Sequence, residues 1–178
     1  MARFCVALLM LPLAIANVLA LPSNPPAPPN PCSAPEQKQL DFWVGEWDLT
    51  WPGAKPGDTG HGTNSIRRIL DGCVVQENFS GGDSMPLRGT SVSIFDVTGE
   101  WRQTWVDNQG AYINLAGGLT NGQMILQSES VGPNGVKSLH RMLWKNITAN
   151  ELDWSWEISS DGGKTWQVQW PIHYRRKN

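Results

Sequence analysis

The amino-acid sequence predicts an all-β fold, a closed antiparallel meander β-barrel of about 8–10 strands with one short N-terminal helix. Three observations carry this. From Trp43 onward apolar and polar residues alternate with period two, the signature of half-buried strands. All 18 glycines lie after residue 44, and they recur in turn-forming pairs. Helical spacing preceded by a helix-start signal occurs in one short stretch only.

That stretch is Ser33-Ala34-Pro35-Glu36, which has capping-box spacing with proline early in the first turn, where its missing donor costs nothing. Leu40, Trp43 and Val44 follow at helical spacing, so a helix of two or three turns is expected over 34–42. The clearest turns are Asp71-Gly72, Gly81-Gly82, Asn121-Gly122 and Asn134-Gly135, with Gln109-Gly110 weaker. Between them strands are expected at 45–52, 62–70, 73–80, 88–96, 100–107, 111–116, 123–130, 136–146, 151–159 and 165–175. Short turns between successive strands give a meander, and closing it removes exposed edges; a two-sheet sandwich is the alternative. Parity assigns inner faces. Trp47, Leu49 and Trp51 share one face, as do Leu152, Trp154, Trp156 and Ile158, and as do Trp166, Val168, Trp170, Ile172 and Tyr174. The middle strands are ambiguous. In 73–80 either Val75, Glu77 and Phe79 or Val74, Gln76 and Asn78 face inward.

The ends set the domain plan. Arg3 is followed by an apolar run from Phe4 to Ala20, with small residues at Val18-Leu19-Ala20, as a signal peptidase requires. Residues 1–20 are therefore read as a cleaved signal peptide. An uncleaved anchor is the alternative, but the run is at the short end of the about 17–25 residues a span needs, and Pro12 and Asn17 interrupt it. Residues 21–32 hold six prolines, a polyproline-type linker that cannot join a sheet. Residues 33–178 form the barrel domain, and a secreted or periplasmic location follows, with no membrane span in the mature protein.

The net charge is −2 at pH 7, and losing Arg3 makes it one unit more negative. That balance argues against nucleic acid, which demands a basic stripe. Cys5 leaves with the signal, and the remaining pair, Cys32 and Cys73, is expected to form a disulfide in an oxidising compartment. The loop it closes, of about 40 residues, makes it worth about 4 kcal/mol. Two unrelated buried thiols are the alternative.

Gly45-Glu46-Trp47, after a short helix and opening the first strand, resembles the G-x-W element of lipocalins and related calycin barrels. The resemblance implies that an arginine of the last strand packs over that tryptophan and closes one end, a part that falls to Arg176. Three longer stretches resemble a bacterial family of exported proteins of unknown function. They are Cys32-Ser33-Ala34-Pro35-Glu36 with Leu40 to Trp47, then Ile69 to Asn78, then Gly99 to Asp107. That likeness spans most of 32–176, supports barrel and disulfide, and implies no activity. Ser159 to Trp166 matches the Asp-box of sialidase-like propellers, a hairpin turn without catalytic role; it occurs once here, so it is read as a turn.

Chemistry is sparsely signalled. His61, His140 and His173 lack metal-ligand spacing and no Cys-x-x-Cys accompanies them, so no metal and no cofactor are expected. Neither a G-x-S-x-G elbow nor a phosphate-cradling loop occurs. Glu77 and His140 are the candidate acid–base pair if both enter one pocket, although a lone histidine is more often a satisfied core residue. Asn78-Phe79-Ser80 and Asn146-Ile147-Thr148 are glycosylation sequons. Ten tryptophans either fill a wide barrel or line a pocket for a flat or apolar ligand. Trp101, Gln103 and Trp105 are the expected wall, with His140 and Trp154 as further ligand-binding candidates. The expected function is binding of a small apolar or aromatic molecule inside the barrel. The alternatives are a cavity isomerase, cyclase or hydratase, and a structural or partner-binding envelope protein whose barrel is filled solid. The interior volume separates the last of these from the others, since a ligand needs a pocket of ~300 Å³ or more.

Overall fold

The computed structural model describes residues 32–133 and 135–177. The expected signal peptide (1–20) and nearly all of the expected Pro-rich linker (21–32), and Asn134 of the Asn134-Gly135 turn, lie outside the described residues. Ten antiparallel strands close in sequence order, with β1 also pairing with β10. They are β1 Gly45–Pro52, β2 Thr59–Ile69, β3 Val74–Ser80, β4 Arg88–Phe95, β5 Trp101–Asp107, β6 Tyr112–Thr120, β7 Gln123–Val131, β8 Lys137–Lys145, β9 Glu151–Ser159 and β10 Gln167–Arg176. The fold is the closed meander barrel that period-two patterning predicts. No helix among the described residues is long and apolar enough to cross a membrane.

The expected single helix is two consecutive 3₁₀ turns, Pro35–Lys38 and Asp41–Trp43. The start is shifted by one residue from the Ser33…Glu36 box: Ala34 is the N-cap, and its N–H donates to Gln37 Oε1 at 3.1 Å. The tight winding suits a plug with one apolar edge. Leu40 and Trp43 are buried, and Trp43 meets Trp144 edge-on with centroids 5.2 Å apart.

This plug seals one end of the barrel. Arg176 lies with its guanidinium carbon 4.2 Å from the centre of the Trp47 ring. It donates to the carbonyls of Val44 (2.8 Å), Phe42 (3.1 Å) and Ala149 (2.9 Å). Gly45 is required beneath it: its φ is +140°, and a Cβ there would come within 2.1 Å of Arg176 Nη1. Arg68 ties the plug from the other side through Asp41, the Gln37 carbonyl and the Gly72 carbonyl. Cys32 and Cys73 are disulfide-bonded, which joins the start of the domain to the β2–β3 turn.

One face assignment is corrected. A β-bulge between Val168 and Trp170 shifts the β10 register, so Trp166 and Val168 do not share the inner face with Trp170, Ile172 and Tyr174. Val168 is half-exposed, and Trp166 stacks 4.0 Å over Arg141. Arg141 in turn pairs with buried Glu157. The Asp-box segment makes this turn: Asp161 accepts from the Lys164 and Thr165 amides, the Thr165 hydroxyl and the Ser159 hydroxyl. These donors hold its carboxyl down to about 2.

Candidate functional site

The tryptophans divide by height in the barrel. Trp43, Trp47, Trp101 and Trp144 are fully buried and fill the half beside the plug. In the other half the rings draw apart around a cavity of about 170 Å³. Phe79, Trp105, Trp154, Trp156 and Trp170 wall it, while Leu87, Asp107 and Ile113 lie towards the rim. Glycines make the wall possible. A Cβ on Gly89 would lie 2.0 Å from Trp105 Cζ2, and Cβ atoms on Gly60 and Gly62 would collide with Trp51. The bare backbone opposite each indole lets it lie flat, and Trp51 then backs Phe79 and Trp170 with centroids 6.3 and 5.7 Å away.

Glu77 lines the floor. Strand register decides between the two parities left open by sequence: Glu77 opposes Ile66 on β2 and Ser91 on β4, so Val75, Glu77 and Phe79 face inward. Its Oε1 accepts from Asn64 Nδ2 at 2.7 Å, and its Oε2 from the Ser91 hydroxyl at 2.7 Å. Asn64 Nδ2 also donates to Tyr174 Oη at 3.1 Å. Burial pushes the Glu77 carboxyl up to about 7, against the pull of its two donors. Burial likewise raises the Tyr174 phenol, with the Glu77 charge adding to it. Nearer the rim, burial works to raise Asp107. The Trp105 Nε1 donor at 3.0 Å and the amides of Ala111 and Gln109 outweigh it, and its carboxyl stays low.

The other sequence candidates are dispersed. Of the five ligand-binding candidates, Trp105 and Trp154 line the cavity. Trp101 sits in the plug half, donating to Gln39 Oε1 at 3.1 Å. Gln103 is buried and donates to the Ser93 hydroxyl at 2.9 Å, one register step nearer the plug than Trp105. His140 lines a different space. β6 pairs with β7 only from Ala116 to Thr120, and beyond that the strands part. A side cleft of about 390 Å³ lies there, lined by Tyr112, Asn114, Ser128, Ser130, His140 and Trp156 among others. The His140 ring stacks on Trp156 with centroids 5.5 Å apart, and its Nε2 is 2.8 Å from the Ser130 hydroxyl. Burial lowers its pKa. Glu77 and His140 therefore do not form the acid–base pair that one shared pocket would require.

Asn64, Ser91 and Asp107 went unnoticed in the sequence. The only local signal was their place on inner faces, and that depends on register. Among the described residues no group of three or more His, Cys, Asp or Glu side chains could hold a metal ion.

Fold and site together define a ten-stranded antiparallel barrel, plugged at one end, with an aromatic cavity and a buried carboxyl in the other half. The chain belongs to the family described as a protein of unknown function (DUF1579), whose model matches residues 33–176. No curated protein matches it. Among solved structures, a de novo designed fluorescence-activating β-barrel is similar over 79% of this chain and 98% of its own. The identity is 11% and the TM-score 0.42, a likeness from which nothing further follows for this chain.

Proposed function

We propose that this protein is an exported, lipocalin-like carrier that holds a small, mainly apolar or aromatic molecule inside its barrel. The supporting observation is the 170 Å³ cavity walled by Phe79, Trp105, Trp154, Trp156 and Trp170. This is below the ~300 Å³ expected of a ligand pocket, the volume that separates a carrier from a solidly filled barrel. It is close to the ~150 Å³ that encloses a single benzene ring, so the occupant is of one-ring size. Export rests on the signal-like residues 1–20, with 21–32 as a spacer, and is compatible with the Cys32–Cys73 bridge.

The test is titration of single-ring compounds, monitored by tryptophan fluorescence. Saturable quenching is expected, lost in Trp105→Ala and retained in His140→Ala. No response from any such compound, and no small molecule released on denaturing protein from its native host, overturns the carrier reading and favours a structural or partner-binding envelope protein.

One observation favours an enzyme as the second reading: the Glu77 carboxyl, set near 7 within a cavity, is poised for general acid or base work at neutral pH. In that case Glu77 acts without His140, in an isomerase, cyclase or hydratase type of reaction. Turnover of the bound compound that stops in Glu77→Gln distinguishes it from a carrier.

A further inference from the structure

We infer that the cavity selects an organic cation, a protonated amine on a one-ring body, with its nitrogen directed to the Glu77 carboxylate. This deepens the carrier reading and rests on it. The lining has two acidic side chains, Glu77 at the floor and Asp107 towards the rim, and no Lys, Arg or His. Glu77 is 5% exposed, and none of the ion pairs among the described residues involves it. Both of its oxygens receive donors, from Asn64 on β2 and Ser91 on β4, an arrangement that suits the charged carboxylate. From β10 the facing group is the Tyr174 phenol, held neutral by burial; on β5 the register neighbour is Trp105, and Asp107 lines the same cavity nearer the rim, held ionised by the Trp105 indole and nearby amides. No facing group supplies positive charge.

A buried carboxylate without a cation carries a large desolvation cost. A ligand that brings the cation offsets that cost through the attraction between the two charges. The walls favour the same charge, because indole and phenyl faces attract cations through their quadrupoles. An anionic ligand meets two carboxylates and no counter-charge. A neutral ring fills the volume but leaves Glu77 as it was.

Binding of a cation also drives a proton off Glu77. Affinity for the cation therefore falls as the pH drops below about 7, where the empty site holds that proton.

Benzylammonium, benzyl alcohol and benzoate have nearly the same shape and differ in charge, and calorimetric titration of all three into the intact protein tests the inference. At pH 8 benzylammonium is expected to bind at least tenfold tighter than benzyl alcohol, and benzoate weakest. Between pH 8 and pH 5.5 the ammonium affinity is expected to fall about 30-fold, as linkage to a group titrating near 7 requires, while that of benzyl alcohol stays constant. Glu77→Gln is expected to abolish the preference and keep benzyl alcohol binding. Equal or tighter binding of benzyl alcohol or benzoate at pH 8, or a pH-independent ammonium affinity in wild-type protein, overturns the cation inference and leaves the carrier standing. Failure of all three probes to bind overturns the cation inference, and the carrier reading falls with it when no other single-ring compound binds and no small molecule is released on denaturing native protein.

Discussion

Replacing Glu77 by Gln should make the protein more stable at pH 8 and leave it little changed at pH 4. The carboxyl titrates at about 7 in the fold, against 4.5 as its ordinary value. Between those values the folded state binds the Glu77 proton more tightly than the unfolded chain does, so stability falls as pH rises through the window. This contribution is fully present below pH 4.5 and is lost by pH 8. At ~1.4 kcal/mol per pH unit between the two values, the loss is about 3 kcal/mol. Glutamine has the same shape. Its carbonyl accepts from Asn64 as Glu77 Oε1 does, and the Ser91 hydroxyl can turn to accept from its amide. The assay is urea denaturation of both proteins at pH 4, 5, 6, 7 and 8, read as the difference between them at each pH. The difference cancels carboxylates such as Asp96 and Asp161, held at about 2, which act in the opposite sense at low pH. A difference that is flat from pH 4 to pH 8, or that favours wild-type protein at pH 8, would refute the burial argument for Glu77.

Three further outcomes follow from the closed end and the wall. Denatured, unreduced protein should show no titratable thiol from Cys32 and Cys73, and Cys32→Ser/Cys73→Ser should lose about 4 kcal/mol, since the bridge spans a separation of 41 residues; an unchanged denaturation midpoint contradicts it. Arg176→Ala should cost about 3 kcal/mol through lost carbonyl contacts and the Trp47 stack, with Arg176→Lys recovering little, because an ammonium cannot fork to the Phe42, Val44 and Ala149 carbonyls together; full rescue by lysine would show that charge alone matters there. Gly89→Ala should cost about 1–3 kcal/mol by overpacking and should change the indole emission, because its Cβ displaces Trp105; wild-type stability and emission would mean that the ring has room to spare.

Much of the barrel was readable from local pattern. A strand's side chains alternate by geometry, so Trp47-x-Leu49-x-Trp51 and Leu152-x-Trp154-x-Trp156 declared their inner faces without reference to any partner. Gly45, with its left-handed φ and Arg176 against it, shows how a turn-type residue can also mark a packing site, and the one-residue shift at Ala34 shows how loosely caps are specified. The β10 reversal was hidden. On the far side of the bulge from Trp170, Trp166 lies against Arg141, which pairs with Glu157, and strand sequence does not encode which neighbour will be there.

The candidate site was legible in its residue types and illegible in its assembly. By itself the sequence determined an antiparallel barrel rich in inward aromatics, a helical plug and a disulfide pair, because turn chemistry and side-chain alternation act over a few residues. Tertiary structure alone decided that Glu77 meets Asn64 and Ser91, that Asn64 reaches Tyr174, and that His140 turns instead to a side cleft where β6 and β7 part. Those contacts join residues up to 110 positions apart. They depend on the register of ten strands around a closed ring, where a slip of one residue would turn every side chain of a strand to its other face.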